Sequence, residues 1–385
     1  MEFSNRAKQM KGSATLLWDM KVKEAMKLDS DVINLTIGQP DFDTPEFLSE
    51  SIRAVSNKVG VNRYANTQGE PELRKMLANI LQRKKEVEYD ESEIIWTSSK
   101  EALFLAISVL VGKGDEVILL SPCWPTYGEV VNYCEGKAIY VGTDRNFHPV
   151  SEEIEKAVSS RTKAIIINSP NNPSGAVYGK EEIGKIAEIA KDHDLVVISD
   201  EVYSSILFDG RKHISIAKLE GMRERTLIIE GFSKGLSVPG FRAGYAAGAK
   251  EIIGKMKDLK SNISGNSDSL MQFAIIDALS ASLEAYFEFE NQLKGSFEKR
   301  REYFLSRLMI PGLIAPQGAF YLFVPIPAKG IGSMEFCGTM LKKKIGITPG
   351  IFFQQEGYAR ISFAVKEEKL KIAADILQNE YENAI

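Results

Sequence analysis

The middle of the chain alternates short apolar runs with amphipathic helical stretches. The apolar runs lie at residues 116–120, 138–141, 164–168, 195–200 and 226–230. Between two of these runs, the stretch 180–194 places Ile183, Ile186, Ala187 and Ala190 on one helical face. Strands that alternate with helices in this way form a mostly parallel sheet covered by helices. The pattern therefore predicts an α/β fold.

The carboxy-terminal part of the sequence has a different pattern. Residues 283–308 predict one long charged helix, and its apolar stripe consists of Phe289, Leu293, Phe297 and Phe304. Two predicted strands (319–324 and 358–363) and two predicted helices (334–344 and from 367 onward) follow it and form a smaller α+β unit. We expect the amino-terminal segment to join this unit. The predicted large domain spans 39–290, and the small domain combines 1–38 with 291–385.

Composition excludes several classes of function. The net charge of −4 leaves no basic excess for nucleic acid, and no apolar run is long enough to cross a membrane. The three cysteines have no C-x-x-C spacing and are isolated from the histidines, so we expect free thiols and no metal site. The amino terminus lacks the apolar core of a signal peptide, which predicts a cytoplasmic protein. The lack of a basic excess favours a small-molecule substrate over nucleic acid.

Lys234 is the strongest candidate for chemistry. It lies among small residues in the segment 231–245, and Arg242 follows eight positions later. A lysine amine can condense with an aldehyde, while Ser233 and Arg242 suit a phosphate group. The segment therefore predicts an anchor for the cofactor pyridoxal phosphate.

Asp200 closes an apolar strand, so its carboxylate is expected at the carboxyl edge of the sheet, where ligands bind in open α/β folds. A carboxylate beside a pyridine nitrogen keeps that nitrogen protonated. The alternative is an aspartate that caps the next helix. Three residues later, Tyr203 is a candidate donor to the phenolic oxygen of the cofactor ring.

Two turns after strands carry further candidates. In the turn at 168–175, Asn172 is a candidate donor to the same phenolic oxygen, although a rigid turn rich in proline and asparagine also occurs without any ligand. In the segment 121–126, Trp124 either stacks on a flat ring or packs into the core.

The remaining candidates suit anions. Ser98, Ser99 and Lys100 stand where a strand passes into an apolar helix, and the free amides of a helix start bind phosphate. A serine-capped helix with nothing bound predicts the same sequence. Arg360 lies in a predicted strand, where its planar guanidinium either binds the α-carboxylate of an amino acid or faces solvent.

Taken together, these motifs resemble the fold-type I, pyridoxal-phosphate-dependent class I and II aminotransferases, from residue 13 to Arg360. Residues 37–42 (Ile-Gly-Gln-Pro-Asp-Phe) resemble the family's element whose glycine, here Gly38, helps hold the substrate carboxylate. Arg63 and Tyr64, with residues 69–74, resemble a second element. The resemblance implies a seven-stranded, mostly parallel sheet in a large cofactor-binding domain, plus a smaller α+β domain. It also implies that Tyr64 reaches the phosphate of a neighbouring subunit, and hence a homodimer with shared active sites.

Within the family, residues 13–16 and Lys100 resemble the bacterial-type aspartate aminotransferases, in which the equivalent lysine helps hold the distal carboxylate of the substrate. The chain departs from the pattern with Ser98 and Ser99 where two glycines are usual, with Cys123 in place of an aromatic residue, and with Phe241 in place of tryptophan. The resemblance implies catalytic roles for Lys234, Asp200 and Tyr203. The implied reaction moves an amino group from an L-amino acid, aspartate or another acidic donor first, to a 2-oxo acid such as 2-oxoglutarate by a ping-pong mechanism.

Other functions fit the sequence less well. Aromatic or alanine aminotransferases, and lyases or synthases of the same fold, keep the cofactor but change the substrate or the bond that breaks. A nicotinamide dehydrogenase is disfavoured because no G-x-G-x-x-G follows the first strand, and residues 175–180 fall one residue short of a nucleotide-binding P-loop. A non-catalytic transcription regulator requires an added helix-turn-helix, which we do not expect here.

Overall fold

The computed structural model describes residues 2–327 and 330–383. The strands in this part of the chain are β1 (Ile33–Asn34), β2 (Ile94–Trp96), β3 (Glu116–Ser121), β4 (Lys137–Gly142), β5 (Thr162–Asn168), β6 (Val196–Asp200), β7 (Thr226–Gly231), β8 (Gly244–Ala247), β9 (Tyr321–Pro325), β10 (Ile345–Gly346), β11 (Thr348–Pro349) and β12 (Tyr358–Ser362). The α-helices are α1 (Asn5–Gln9), α2 (Ala14–Leu28), α3 (Glu46–Val55), α4 (Pro71–Lys85), α5 (Ser99–Leu110), α6 (Thr126–Tyr133), α7 (Ser151–Ala157), α8 (Lys180–Asp192), α9 (Phe232–Gly235), α10 (Lys250–Ile263), α11 (Ser269–Ala281), α12 (Leu283–Arg307), α13 (Ser333–Lys342) and α14 (Glu367–Asn383).

A seven-stranded sheet forms the centre of the molecule, with the strand order β2-β8-β7-β6-β5-β3-β4. The strands from β7 through β6, β5 and β3 to β4 run parallel, and β8 runs antiparallel to both of its neighbours. This confirms the predicted mostly parallel α/β sheet. The sequence pattern did not predict β8, because glycine and alanine fill most of this short strand and give it little strand propensity.

Both faces of the sheet are buried. In β3, Val117 and Leu119 belong to one apolar core, whereas Ile118 and Leu120 belong to the core on the opposite face. Side chains alternate between the two faces of a strand, so helices must cover both sides of such a sheet. Polar side chains of the inner strands can therefore meet a ligand only at the strand ends.

A further apolar core, away from the seven-stranded sheet, contains segments from both ends of the chain. β9, β11 and β12 form an antiparallel sheet, and β1 pairs with β10. Trp18 and Val22 of α2 share one apolar cluster with Leu370 and Leu377 of α14. Leu293, Phe297 and Phe304 of α12 are buried in it, as their spacing predicted. The domain boundaries at 38/39 and 290/291 remain a prediction.

Two further features complete the description. α8 ends at Asp192, two residues before the predicted end, and Asp194 beyond it adopts a left-handed backbone with φ of +50° that stops the helix. Among the described residues no single helix is long and apolar enough to span a membrane. Only α11 and α12 taken together have that length and apolarity, and the pair is bent by 98°.

Candidate active site

The carboxyl ends of neighbouring strands converge on one cavity. β5 ends at Asn168, β6 ends at Asp200, and β7 leads directly into α9, which carries Lys234. Asn168 and Asp200 face each other in the parallel register, and Asn168 Nδ2 donates to the Asp200 carbonyl oxygen at 2.9 Å. A cavity of about 420 Å³ lies against these strand ends, the place where open α/β sheets bind ligands.

Nearly all the candidates from the sequence line this cavity. The lining includes Gly38, Ser99, Lys100, Trp124, Asn172, Asp200, Tyr203, Ser233, Lys234, Arg242 and Arg360. Ser98 and Tyr64 do not line it. Among these candidates, Gly38 and Arg360 are the most distant pair, 322 positions apart in the sequence.

Asp200 presents a buried carboxylate to the cavity. Its Oδ2 accepts a hydrogen bond from Tyr127 Oη at 2.6 Å, and Oδ1 accepts a long one from the Val202 amide at 3.4 Å. Burial raises the pKa of Asp200 to about 6, against the opposing effect of the Tyr127 hydrogen bond. No cationic side chain in residues 2–327 and 330–383 forms a salt bridge with it. The site therefore favours a ligand that brings a positive charge to this carboxylate.

Lys234 extends into the same cavity. Its Nζ donates to the carbonyl oxygen of Gly38 and lies 5.9 Å from the centroid of the Tyr203 ring. Burial lowers the pKa of Lys234 to about 8, and the positive charges of Arg360 and Arg242 add to this effect. Because only the neutral amine is a nucleophile or a base, the site prepares Lys234 for both roles near neutral pH.

Arg360 is buried, so the solvent-facing alternative is wrong. One terminal nitrogen donates to Asn172 Oδ1 at 2.8 Å and the other to the carbonyl oxygen of Thr36 at 2.7 Å. Its Nε has no hydrogen-bond partner among the described residues. Both partners are neutral, and a buried arginine charge normally requires an anion. A carboxylate bound in the cavity supplies one.

The start of α5 separates the two serines. Ser98 caps the helix, and its Oγ accepts a hydrogen bond from the Glu101 amide at 3.2 Å, which places its side chain away from the cavity. Ser99 lines the cavity, and its Oγ donates to the Glu230 carbonyl oxygen at 3.0 Å. A Cβ on Gly231 would lie 2.6 Å from Ser99 Oγ, so only glycine allows this close approach of β7 to the helix start. The capping interpretation of Ser98 is confirmed, and the amides of the first helical turn remain at the edge of the cavity.

Two cations share one side of the cavity. Lys100 Nζ lies 5.0 Å from the centroid of the Trp124 ring, and burial together with Arg242 lowers the pKa of Lys100. Trp124 also packs edge-on against Tyr127, with ring centroids 5.5 Å apart. Trp124 therefore packs against its neighbours and faces the cavity at once. The positive side of the cavity suits an anionic ligand.

Some of the cavity residues were not predicted from the sequence. Tyr127 holds Asp200, and Tyr321 Oη lies 2.9 Å from Tyr203 Oη. A Cβ on Gly38 would lie 2.7 Å from Tyr321 Oη, which explains the glycine at that position. Tyr127 directly follows the segment that carries Trp124, and this proximity was the available signal. Tyr321 lies on β9 among aromatic residues that resemble ordinary core, so the sequence offered no signal for it.

Tyr64 lies outside the cavity and is 97% exposed. Within one chain its aromatic ring has almost no packing partner, an unusual state for a large apolar surface. Its predicted contact with a neighbouring subunit stays a prediction.

Comparison with known proteins identifies the family to which the chain belongs. The family model for aminotransferase class I and II matches residues 30–377. The aspartate aminotransferase of Bacillus subtilis is 36% identical, over 97% of this chain and 98% of that protein. The solved structure of the aspartate aminotransferase from Thermus thermophilus with maleate is similar with a TM-score of 0.94 at 35% identity, covering 99% of this chain and all of that one. An aromatic aminotransferase from Pyrococcus horikoshii OT3 has a TM-score of 0.88 at 34% identity, over 94% of this chain and all of that one. The chain therefore belongs to the class I and II aminotransferases, which are pyridoxal-phosphate-dependent enzymes.

Proposed function

We propose that Lys234, Asp200 and the cations around them hold pyridoxal phosphate in the cavity described above. The observation that carries this proposal is that Lys234 and Asp200 line one cavity and have oppositely shifted pKa values. The pKa of Lys234 is lowered to about 8, and the pKa of Asp200 is raised to about 6. Lys234 suits the aldehyde, and Asp200 suits the ring nitrogen. Ser99 at the start of α5, Ser233 in α9 and Arg242, which precedes β8, suit the phosphate.

The proposed roles follow from what each side chain can do. When bound, pyridoxal phosphate supplies an aldehyde carbon that condenses with amines and a pyridine ring that accepts electrons from the substrate α-carbon. Asp200 keeps a proton on the ring nitrogen, because a buried carboxylate favours a nearby positive charge. Lys234 would take the proton from the substrate α-carbon and deliver it to the former aldehyde carbon of the cofactor. Asn172 and Tyr203 are the proposed hydrogen-bond partners of the phenolic oxygen, and Trp124 is the proposed ring contact.

Arg360 is the proposed binding site for the substrate α-carboxylate. Its Nε is unpartnered among the described residues, and its guanidinium lies 4.5 Å from the centroid of the Tyr321 ring, which fixes the plane of the fork. A fixed fork binds a carboxylate with two parallel hydrogen bonds. This contact, with Gly38 beside it, orients the α-carbon toward Lys234.

We propose aspartate, or another acidic amino acid, as the amino donor and a 2-oxo acid as the acceptor. Relatives with this chain's length are named aspartate aminotransferases. Lys100, on the positive side of the cavity, is the proposed partner of the distal carboxylate. An aromatic donor is the second candidate, because an aromatic aminotransferase shares the fold and Trp124 lines the cavity.

The test is a set of half-reactions with holoenzyme. The absorbance of the cofactor is followed after adding aspartate, glutamate, phenylalanine or alanine alone, in the wild type and in Lys100→Ala. We expect the rate with aspartate and glutamate to fall about 10- to 100-fold in the variant, since a charge-assisted hydrogen bond is lost, while the rate with alanine stays within about twofold. Equal losses for all donors, or an unchanged rate with aspartate, contradict the assignment of Lys100.

We further propose a homodimer with shared sites in the cytoplasm. The exposed Tyr64 supports the first part, since it suits a contact with a second copy of the chain. The second part is supported by the cysteines, because Cys123, Cys134 and Cys337 are all free thiols, as expected in a reducing compartment.

A further inference from the structure

A group of charged side chains is buried behind the active site, and we call Lys85, Glu201, Glu230 and His213 the buried charge cluster. Lys85 is the last residue of α4, and its side chain is 1% exposed. Its Nζ lies 2.6 Å from Glu201 Oε2 and 2.7 Å from Glu230 Oε1. His213 Nε2 lies 2.8 Å from Glu201 Oε2. None of these side chains lines the cavity.

Hydrogen bonds hold every carboxylate oxygen of the cluster. Glu201 Oε1 accepts from Ser199 at 2.8 Å and from Ser215 at 2.7 Å. Glu230 Oε1 accepts from Ser204 at 2.5 Å, and Oε2 accepts from the Gly231 amide at 3.0 Å. Both carboxylates are therefore fixed in position as well as paired.

The cluster joins the chain segments that carry the reactive groups. Glu201 directly follows Asp200 at the end of β6, and Glu230 directly precedes Gly231, from which α9 begins with Lys234 in it. Asp200 lies opposite Ile229 in the register of β6 and β7. Lys85 thus ties together the ends of two adjacent strands, one leading to the aspartate and the other to the lysine.

From this connection we infer that Lys85, Glu201 and Glu230 are positioning residues, which fix the spacing and the charge environment of Asp200 and Lys234 in the aminotransferase reaction. The inference rests on the proposed roles of those two residues. Buried ion pairs recover little more than the cost of their desolvation, and apolar side chains of the same volume stabilise a fold at least as well. A fixed geometry is what such a group adds.

The electrostatics agree with this connection. Burial pushes the pKa of Glu230 upward, but Lys85 and Lys84 bring it below its usual value, so the carboxylate is charged. Lys85 and His213 likewise overcome burial and lower the pKa of Glu201. The two negative charges in turn contribute to the raised pKa of Asp200, after burial. A change in the cluster therefore reaches the aspartate of the site.

The experiment compares Glu230→Gln with a matched control, Glu116→Gln. Glu116 is also a buried glutamate in the central sheet. It is the first residue of β3, at the amino end of the strand and so away from the cavity, and it accepts hydrogen bonds from Ser159 and Arg161. In Glu230→Gln the pair of Lys85 with Glu201 remains, so the ammonium keeps a partner. The measurements on holoenzyme are the pH midpoint of the absorbance of the cofactor bound to Lys234, and kcat and KM with aspartate.

In Glu230→Gln we expect the midpoint to fall, because Glu230 directly precedes Gly231, from which α9 begins, and losing a negative charge disfavours protonation of nearby groups. Arg360, Arg242 and Asp200, the charged groups that face Lys234, are the same in both variants. We expect kcat to fall about tenfold and KM to stay within about twofold, since Arg360 lies outside the cluster. Glu116→Gln should change neither quantity.

The inference is overturned when Glu230→Gln keeps the wild-type midpoint and kcat, or changes them no more than Glu116→Gln does. Should Glu230→Gln yield no folded holoenzyme, Lys85→Arg decides by the same measurements: a lowered kcat supports positioning, because the guanidinium keeps the charge but not the geometry, and wild-type values overturn it. Borohydride reduction and peptide mapping of the wild type separate this result from the proposed function. A label missing from Lys234 contradicts the proposed function itself, whereas a labelled Lys234 with unchanged variants contradicts only the role of the cluster.

Discussion

At the scale of single residues, the site consists of groups held in unfavourable states. Asp200 is a buried carboxylate with no cation in salt-bridge contact among the described residues, and Arg360 is a buried guanidinium whose two partners are neutral. Such groups reduce the stability of the empty protein. A ligand that brings the complementary charges restores this stability, so the protein is more stable with the site occupied than with it empty.

A first prediction concerns the stability of cofactor-free protein as a function of pH. The folded pKa of Asp200, about 6, is above the value of about 4 that is usual in unfolded chains. A carboxyl group with a raised folded pKa binds its proton more tightly when folded, so its contribution to stability is lost as the pH rises from about 4 to about 6. Asp200→Asn has no such loss. We expect the free energy of unfolding of this variant, relative to the wild type, to increase by on the order of 2 kcal/mol between pH 4 and pH 7.

Urea unfolding of both cofactor-free proteins across this range measures the difference. A constant difference between the two proteins from pH 4 to pH 7 contradicts the raised pKa of Asp200. In the loaded enzyme the same substitution should lower kcat, since the ring nitrogen loses its anionic partner.

A second prediction concerns Lys234. Lys234→Ala removes the proposed base, so we expect turnover with aspartate to fall by about 10³-fold or more while the fold is retained, because its Nζ makes one hydrogen bond and no salt bridge in the described structure. The measurement is steady-state turnover together with circular dichroism. Lys371→Ala on the surface of α14 is the control and should be fully active. Substantial turnover without Lys234 is incompatible with its role.

At the scale of elements, α5 connects local helix chemistry to the site. Ser98 caps this helix, and the free amides of its first turn border the cavity beside Ser99 and Lys100. Glycines at Gly231 and Gly244 let β7 and β8 approach the helix start closely. The element is thus positioned by one cap on its own side and by two glycines on the side of the sheet.

A third prediction separates the contribution of the Ser98 cap to the stability of the fold from its contribution to cofactor binding. Ser98→Ala removes the cap and should lower the free energy of unfolding by about 1 kcal/mol. The matched control is Ser282→Ala, because Ser282 caps α12 in the same way, accepting from the Ala285 amide at 3.1 Å. We expect similar losses of stability but weaker cofactor binding only in Ser98→Ala, measured by titration of cofactor-free protein with pyridoxal phosphate. Equal cofactor affinities would show that the cap has no part in phosphate binding.

At the scale of the whole molecule, the cavity gathers residues from distant parts of one chain but not Tyr64, which the family resemblance assigns to the phosphate of a neighbouring subunit. Residues from both ends of the chain meet at the cavity, since Thr36 holds Arg360 and Gly38 accepts from Lys234. Tyr64 stays on the surface of the single chain. The proposed homodimer with shared sites accounts for the exposure of Tyr64.

A fourth prediction tests this sharing by complementation. A mixture of Lys234→Ala and Tyr64→Ala subunits forms heterodimers in which one site has both changes and the other has neither, provided that Tyr64 acts in the neighbouring subunit. We expect activity above that of either variant alone after co-refolding or co-expression. Activity no higher than the sum of the separate variants means that Tyr64 acts in its own chain or not at all.

The sequence by itself determined the alternating strands and helices, the position of Asp200 at a strand end, and the segments that carry Lys234 and Arg360, because these follow from periodicity and from local motifs. The sequence determined much less about which groups each of these side chains contacts. Whether Arg360 faced solvent or a carboxylate, whether Trp124 faced the core or the cavity, and which serine capped α5 each depended on what lies opposite in space.

Only the tertiary structure decided the members of the site that have ordinary local sequence. Tyr127 and Tyr321 stand in stretches that resemble core helix and core strand, yet one holds Asp200 and the other contacts Tyr203. The buried charge cluster joins Lys85 to residues 116 and 145 positions later in the chain. The physical reason is that a pattern along the chain encodes which side of an element is buried, whereas charge pairing and pKa depend on groups that only folding brings together.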